Sequence, residues 1–280
     1  MRISKFDLRD ISLNISLNDS SVIKKLRIAL CVRIMIAALL GLSKPLYAMA
    51  QPKPVPVAVA ANFTAPAKQI AAAFQLKTGD TVVLSFGSSG QFYSQITQGA
   101  PFEVFLSADA SHPKKLVSDG LTVPGSLFTY ALGTLVLWSA TPGLIDSQGT
   151  VLQSNKFTHL SNANPALAPY GKAGIETLKA LGLYEKLQPK IVTANDITQA
   201  YQFVASGNAE LGFVALSQVI HKKGGSEWTI PNKYYSPIVQ DAVLLKTGAN
   251  DPEAEAFLAF LKSPEALAII HSYGYATRGS

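Results

Sequence analysis

The sequence predicts an α/β protein of two lobes, the second inserted into the first, and three observations carry that expectation. Short apolar runs alternate with helix-length amphipathic segments, the pattern of a largely parallel sheet covered by helices. Two longer apolar runs, residues 128–138 and 234–245, have the length to cross between lobes. At 280 residues the chain can build two cores, and with 48% hydrophobic and 15% charged residues it has the balance of a globular protein.

Taken in order, residues 55–60 read as a buried strand. Thr64 is placed to cap the helix that follows, with Pro66 in its first turn. Ala67, Ile70 and Phe74 share one face of that helix, which ends near Lys77 before Gly79. A strand is expected over 81–86, a turn at Gly87-Ser88-Ser89-Gly90, and a helix over 92–98. Residues 102–107 form the next expected strand, and 111–118 a short helix stopped at Gly120. Beyond the first long run, residues 143–165 are polar and irregular. A helix over 172–181 is closed by Gly182, Asn195 is the expected cap of a helix over 196–205, and 211–216 is a further strand. The second long run leads to Asp251-Pro252-Glu253, which starts a helix carrying Phe257, Leu258 and Leu261; another turn follows Pro264. The expected division is residues 51–131 and 236–280 in lobe 1 and 132–235 in lobe 2.

The first fifty residues read differently. They hold 8 of the 24 Lys/Arg and 3 of the 18 Asp/Glu, which leaves 16 basic against 15 acidic groups in the rest. The net charge of +6 is therefore an N-terminal property. The body has no basic stripe, Arg278 is its only arginine, and nucleic acid is not an expected partner. Lys24, Lys25 and Arg27 precede an apolar run over 34–42, and Ala48-Met49-Ala50 offers a small-x-small cleavage site. That order is the signature of a secretory signal peptide over residues 1–50, leaving Gln51 as the first mature residue; a buried core helix is the competing reading. The run is too short for a permanent membrane span. Cys31 follows Leu30 rather than a small residue, which argues against a lipid anchor, and its removal leaves no cysteine for disulfides, thiol catalysis or thiolate metal sites.

Catalytic apparatus is not visible. His112, His159, His221 and His271 have no ligand spacing, so no metal site is expected. Gly87-Ser88-Ser89-Gly90 is akin to a nucleophile elbow, but Gln91 stands where G-x-S-x-G requires glycine, and no Lys-Ser/Thr ending makes it a P-loop. A secreted hydrolase using Ser89 would need a histidine that no motif supplies. Glu253 and Glu255 are explained by the helix dipole. The expectation is a non-enzyme without a cofactor.

What the sequence does offer is helix starts with neutral hydrogen-bonding residues: Asn62 and Thr64, Ser88 and Ser89, and Asn195 to Ile197. Helix N-termini present unpaired N–H groups and suit an anion without any charged side chain. In an open α/β sheet these starts gather at the carboxyl ends of the strands. Ordinary capping explains any one of them as well.

Several segments carry a resemblance. Val59-Ala60-Ala61-Asn62-Phe63, the stretch Ser85-Phe86-Gly87-Ser88-Ser89-Gly90-Gln91, residues 96–109 (ITQGAPFEVFLSAD), 164–173 (NPALAPYGKA) and ALGLYEKL around Gly182 resemble the periplasmic molybdate-binding proteins of molybdate ABC transporters, and the likeness spans residues 55–275. The resemblance implies a type II periplasmic binding protein: two α/β lobes, each a sheet flanked by helices, joined by a two-strand hinge. It implies that molybdate or tungstate is captured between the lobes by neutral donors and delivered to a membrane permease, by a monomer in the periplasm. Carried over by position, the binding residues are Asn62, Ser89, Tyr170 through its hydroxyl or backbone N–H, and Ile197 through its backbone N–H, with Ala61 and Ser88 as further contacts. Some relatives carry a tyrosine where Gly212-Phe213-Val214 is followed here by Ala215, and Tyr170 stands in for it. Sulfate remains an alternative ligand because it needs the same donors, whereas an organic acid would call for an arginine fork.

Overall fold

The computed structural model describes residues 24–25, 27–31 and 53–277, and the chain divides into two compact units, Met1–Gln51 and Pro52–Ser280. In the first unit the described residues are helical and exposed; the apolar run over 34–42 and Ala48-Met49-Ala50 lie outside the described residues. Among the described residues no helix is long and apolar enough to cross a membrane.

The second unit opens with β1 (Val55–Ala60), buried at every position but Pro56, and a single 3-10 turn over Ala61–Phe63 leads into α1 (Thr64–Thr78). Ile70 and Phe74 point α1 into the core, and Gly79 ends it at φ +86°, where glycine carries no Cβ penalty. Thr64 is not the cap the sequence suggests. The 3-10 turn makes it the first helical residue, and its hydroxyl donates to the Ala61 carbonyl at 2.8 Å. Next come β2 (Val82–Gly87), α2 (Ser89–Thr97), β3 (Val104–Leu106), α3 (Ser111–Ser118) and β4 (Phe128–Gly133).

The middle of the chain forms β5 (Leu135–Ser139), β6 (Leu160–Ala163), α4 (Pro169–Ala180), α5 (Tyr184–Leu187), β7 (Ile191–Ala194), α6 (Ile197–Ala205), β8 (Leu211–Ala215), α7 (Leu216–Val219) and β9 (Ser226–Thr229). The chain then returns through β10 (Ile238–Leu244) and ends in α8 (Pro252–Phe260) and α9 (Pro264–Ser272). One sheet has the order β2-β1-β3-β10-β4, the other β7-β6-β8-β5-β9. Parallel pairs β1/β2, β1/β3, β6/β7 and β6/β8 form the heart of each, with antiparallel strands completing them. This is the α/β arrangement of two helix-flanked sheets that the sequence predicts.

Each sheet has its own apolar core. Val57, Val59, Ile70, Phe74 and Phe257 pack about the first, and Leu135, Leu160, Leu178, Phe213 and Ala200 about the second. The long run over 128–138 is two strands rather than one: β4 belongs to the first sheet, β5 to the second, and Thr134 alone separates them. The return run is shorter than expected. Pro231 and Pro237 lack the N–H a ladder needs, so residues before Ile238 form a 3-10 turn over Asn232–Tyr234 and only β10 is strand. Strands β6, β7 and β9 are four residues each, too short to show a period within polar surroundings.

Before β8, Glu210 fastens the segment that feeds β6. Its carboxylate accepts the Thr158 hydroxyl at 2.7 Å and the His159 amide at 2.9 Å. Partial burial pushes this carboxyl up, but those hydrogen bonds outweigh it and bring it down to about 2. A lowered folded-state value means the stabilisation is complete above the unfolded value of about 4.3 and is lost as pH falls through about 2. Glu210→Gln is therefore expected to lower the melting temperature by about 1–3 °C at pH 7, a small effect because the side chain is 39% exposed. The gap between variant and wild type should close as pH is taken from 5 toward 2; a gap independent of pH would contradict the assignment.

Candidate functional site

Five loops at the carboxyl ends of β1, β2, β3, β6 and β7 meet on one small cavity between the two sheets. Its lining is Ala60, Ala61 and Asn62 at the end of β1, Gly87, Ser88 and Ser89 at the end of β2, and Ala108 after β3, faced by Ala168, Pro169 and Tyr170 and by Asp196 and Ile197. Its volume is about 10 Å³, about the room of a single water molecule. All six residues singled out from the sequence, Asn62, Ser89, Tyr170, Ile197, Ala61 and Ser88, line it, and all six are buried.

Three helices begin at this cavity. Ser88 precedes α2, whose first residue is Ser89, so the helix starts three residues earlier than its apolar spacing indicates. The cause is a half-formed capping box: Gln91 Oε1 accepts the Ser88 N–H at 3.2 Å. The Ser88 hydroxyl is buried and has no partner. The Ser89 hydroxyl accepts the Ala108 amide at 2.9 Å, which keeps its own proton for another acceptor.

Tyr170 sits in the first turn of α4 and not in a loop, because Pro169 opens the helix at N1, where a missing N–H costs nothing. Its backbone amide is one of the unpaired donors of a helix start. Its hydroxyl faces the other way: it accepts Gln240 Nε2 at 3.3 Å in the interior. Ile197 is the first residue of α6. The cap is Asp196 and not Asn195, and its carboxylate accepts the amides of Thr198 and Gln199 at 2.7 and 2.9 Å, leaving the Ile197 amide as the free one. An N-cap of this kind is worth about 0.5–2 kcal/mol. Asn62 gives both side-chain protons to interior partners, Gln240 Oε1 at 2.8 Å and the Tyr275 hydroxyl at 2.9 Å, so the group it offers the cavity is its backbone.

The site is thus built of hydroxyls and amides. Asp196 is the one charged residue lining it, and its carboxylate is turned to its own helix. Ser89 has no histidine among its hydrogen-bond partners; His112 pairs with Asp109 at 2.7 Å. Ala215 is not part of the lining: it ends β8, and its amide donates to Gln218 Oε1 at 2.9 Å. Among the described residues no group of three His, Cys, Asp or Glu could hold a metal ion.

Sequence reasoning missed Asp196, although the order Asp196-Ile197-Thr198-Gln199 is a cap followed by glutamine at N3. Ala108, two residues past β3, carries no signal beyond its small size. The lobes also meet here directly. The Gly90 amide donates to the Leu167 carbonyl at 2.9 Å, and a Cβ on Gly90 would lie 3.0 Å from the Leu167 Cα, so only glycine allows that approach without a shift.

With this geometry in place, the comparisons with known proteins are specific. The family model described as bacterial extracellular solute-binding protein matches residues 55–276. The molybdate-binding protein ModA of Rhodobacter capsulatus is 60% identical over 242 residues, covering 86% of this chain and 94% of its own. ModA of Azotobacter vinelandii is 57% identical over 229 residues, 81% of this chain and 91% of its own. The solved periplasmic molybdate-binding protein of Azotobacter vinelandii aligns with a TM-score of 0.78 at 50% identity, covering 80% of this chain and 99% of that one.

The two serines should separate in unfolding experiments on the free protein. Ser89→Ala strands the buried Ala108 amide and is expected to cost about 1–3 kcal/mol, a fall of about 3–10 °C in melting temperature. Ser88→Ala removes a hydroxyl that bonds to nothing and should leave the melting temperature within about 1 °C. Equal losses in the two variants would refute the hydrogen-bond assignment.

Proposed function

The chain belongs to the bacterial extracellular solute-binding protein family, and from that premise we propose how it works: it is the solute-binding component of an ABC transporter, capturing molybdate or tungstate between its lobes and delivering it to a membrane permease. It acts by binding and release and not by catalysis. The observation that carries this reading is the convergence of helix starts and hydroxyls on one small, nearly uncharged cavity. The lobes we assign are residues 51–131 with 236–280, and 132–235. We place the protein in the periplasm as a monomer, exported by a cleavable signal over residues 1–50.

In this reading the ion is held by the Ser88 and Ser89 hydroxyls and by the backbone N–H groups of Ser89, Ala61, Asn62, Tyr170 and Ile197, the Ser88 amide being taken by Gln91. A dianion needs no counter-ion if enough dipoles are already oriented toward it in a site closed to water. The donors stand in both lobes, so the full set forms only when the lobes close, which couples capture to hinge motion. Charge cannot separate molybdate from sulfate. Size can, because a smaller ion leaves some buried donors unpaired at about 1–3 kcal/mol each.

Thermal denaturation of the chain from Gln51 with molybdate, tungstate, sulfate and phosphate tests this. At a ligand concentration of 100 Kd the folded state gains about 2.7 kcal/mol, and a protein of this size should melt about 5–11 °C higher. Molybdate and tungstate are expected to give that shift and sulfate a smaller one at equal concentration. Ser88→Ala should weaken molybdate binding about 10–100-fold, as fits a hydrogen bond to a charged group. No shift with any of the four anions would overturn the reading.

A further inference from the structure

Behind the cavity lies a buried polar cluster that capture by amides and hydroxyls does not use. Its centre is Gln240 in β10, which has no exposed surface and sits at a register shift of the strand. Gln240 Oε1 accepts Asn62 Nδ2 at 2.8 Å and the Tyr130 hydroxyl at 3.1 Å, while Nε2 donates to the Tyr170 hydroxyl at 3.3 Å. Asn62 is fixed a second time: the Ser217 and Tyr275 hydroxyls donate to its carbonyl at 2.8 and 2.9 Å. Asn62, Tyr130 and Gln240 belong with the first sheet; Tyr170 and Ser217 follow strands of the second. Gly133, at the end of β4, makes room, since a Cβ there would stand 2.7 Å from Gln240 Nε2 and closer still to the Tyr170 hydroxyl.

This cluster joins two residues that also line the cavity, one from each lobe. We propose that Gln240 is a positioning residue for oxyanion capture: it ties Asn62 to Tyr170 across the hinge, sets their amides toward the cavity and slows release of the bound ion. The proposal rests on the function assigned above. The physical ground is directionality. An apolar filling of the same volume would pack these lobes without fixing their register, whereas the hydrogen bonds form only at one apposition, and inside the protein each unmade one is costly. The phenols remain neutral donors and acceptors: burial pushes Tyr275 up to about 12 and Tyr130 and Tyr170 well above the usual 10.

Gln240→Met keeps the length and removes all three bonds; Tyr170→Phe removes the bond between Gln240 and Tyr170 and keeps the backbone amide. Stopped-flow release of molybdate from both variants is expected to be about tenfold faster than from wild type, with association within about twofold. The double variant should release no faster than either single one, since both cut the same link. With no ligand added, amide exchange at residues 61–63 and 170–172 should rise together in Gln240→Met. Wild-type release rates in Tyr170→Phe, additive effects in the double variant, or unchanged exchange in ligand-free Gln240→Met would each overturn the proposal. Failure of wild type to bind molybdate would instead strike the functional reading, and the ligand-free exchange would still decide whether Gln240 couples the two segments.

Discussion

A helix begins with amide groups that its own turns cannot pair, and the cavity of this protein is organised around where those groups are spent. At α2 and α6, side chains satisfy part of the demand: Gln91 takes the Ser88 amide, and Asp196 takes those of Thr198 and Gln199. The neighbouring amide in each case, that of Ser89 after the first and that of Ile197 before the second, is left to the cavity. Asp196 therefore has two consequences. It stabilises α6, and by occupying two amides it directs the third, while placing its own negative charge against its helix.

The same economy explains why the site lacks a counter-charge. Arginine or lysine would bind a dianion more strongly from solution, but a buried cation must be paired when the site is empty, or it destabilises the fold. Amides at helix starts carry no such demand. Their dipoles are fixed by the helices, and the helices by the two cores, so orientation is settled by packing far from the site.

Contact between the lobes rests on a few close approaches that small residues permit. Gly90 meets Leu167, and Gly133 leaves space for Tyr170 against Gln240. Thr198 adds a bond from its hydroxyl to the Ala61 carbonyl at 3.2 Å. Apolar contact joins the lobes as well, since Ala60, Ala61 and Ala108 share one buried cluster with Ala168, Tyr170 and Ile197.

The strands that pass through a core and the long amphipathic helices were legible from the residues alone: β1 from its valines, α1 from Ala67, Ile70 and Phe74, and α8 from Asp251-Pro252-Glu253. The helix starts after β1 and β2 were legible only to within a few residues: Thr64 is the first helical residue and not the cap, and α2 begins at Ser89 and not at 92. The strands β6, β7 and β9 were not, since four residues show no period. Nor was the interior role of Asn62 and Tyr170. Their partners Gln240 and Tyr275 lie 178, 213 and 70 positions away in the chain, and no local pattern encodes a contact made only when two lobes meet. Sequence by itself determined where helices could begin and what kind of donor each start would offer; the tertiary structure decided which donors face a common cavity, because that depends on how two separately packed sheets are set against each other.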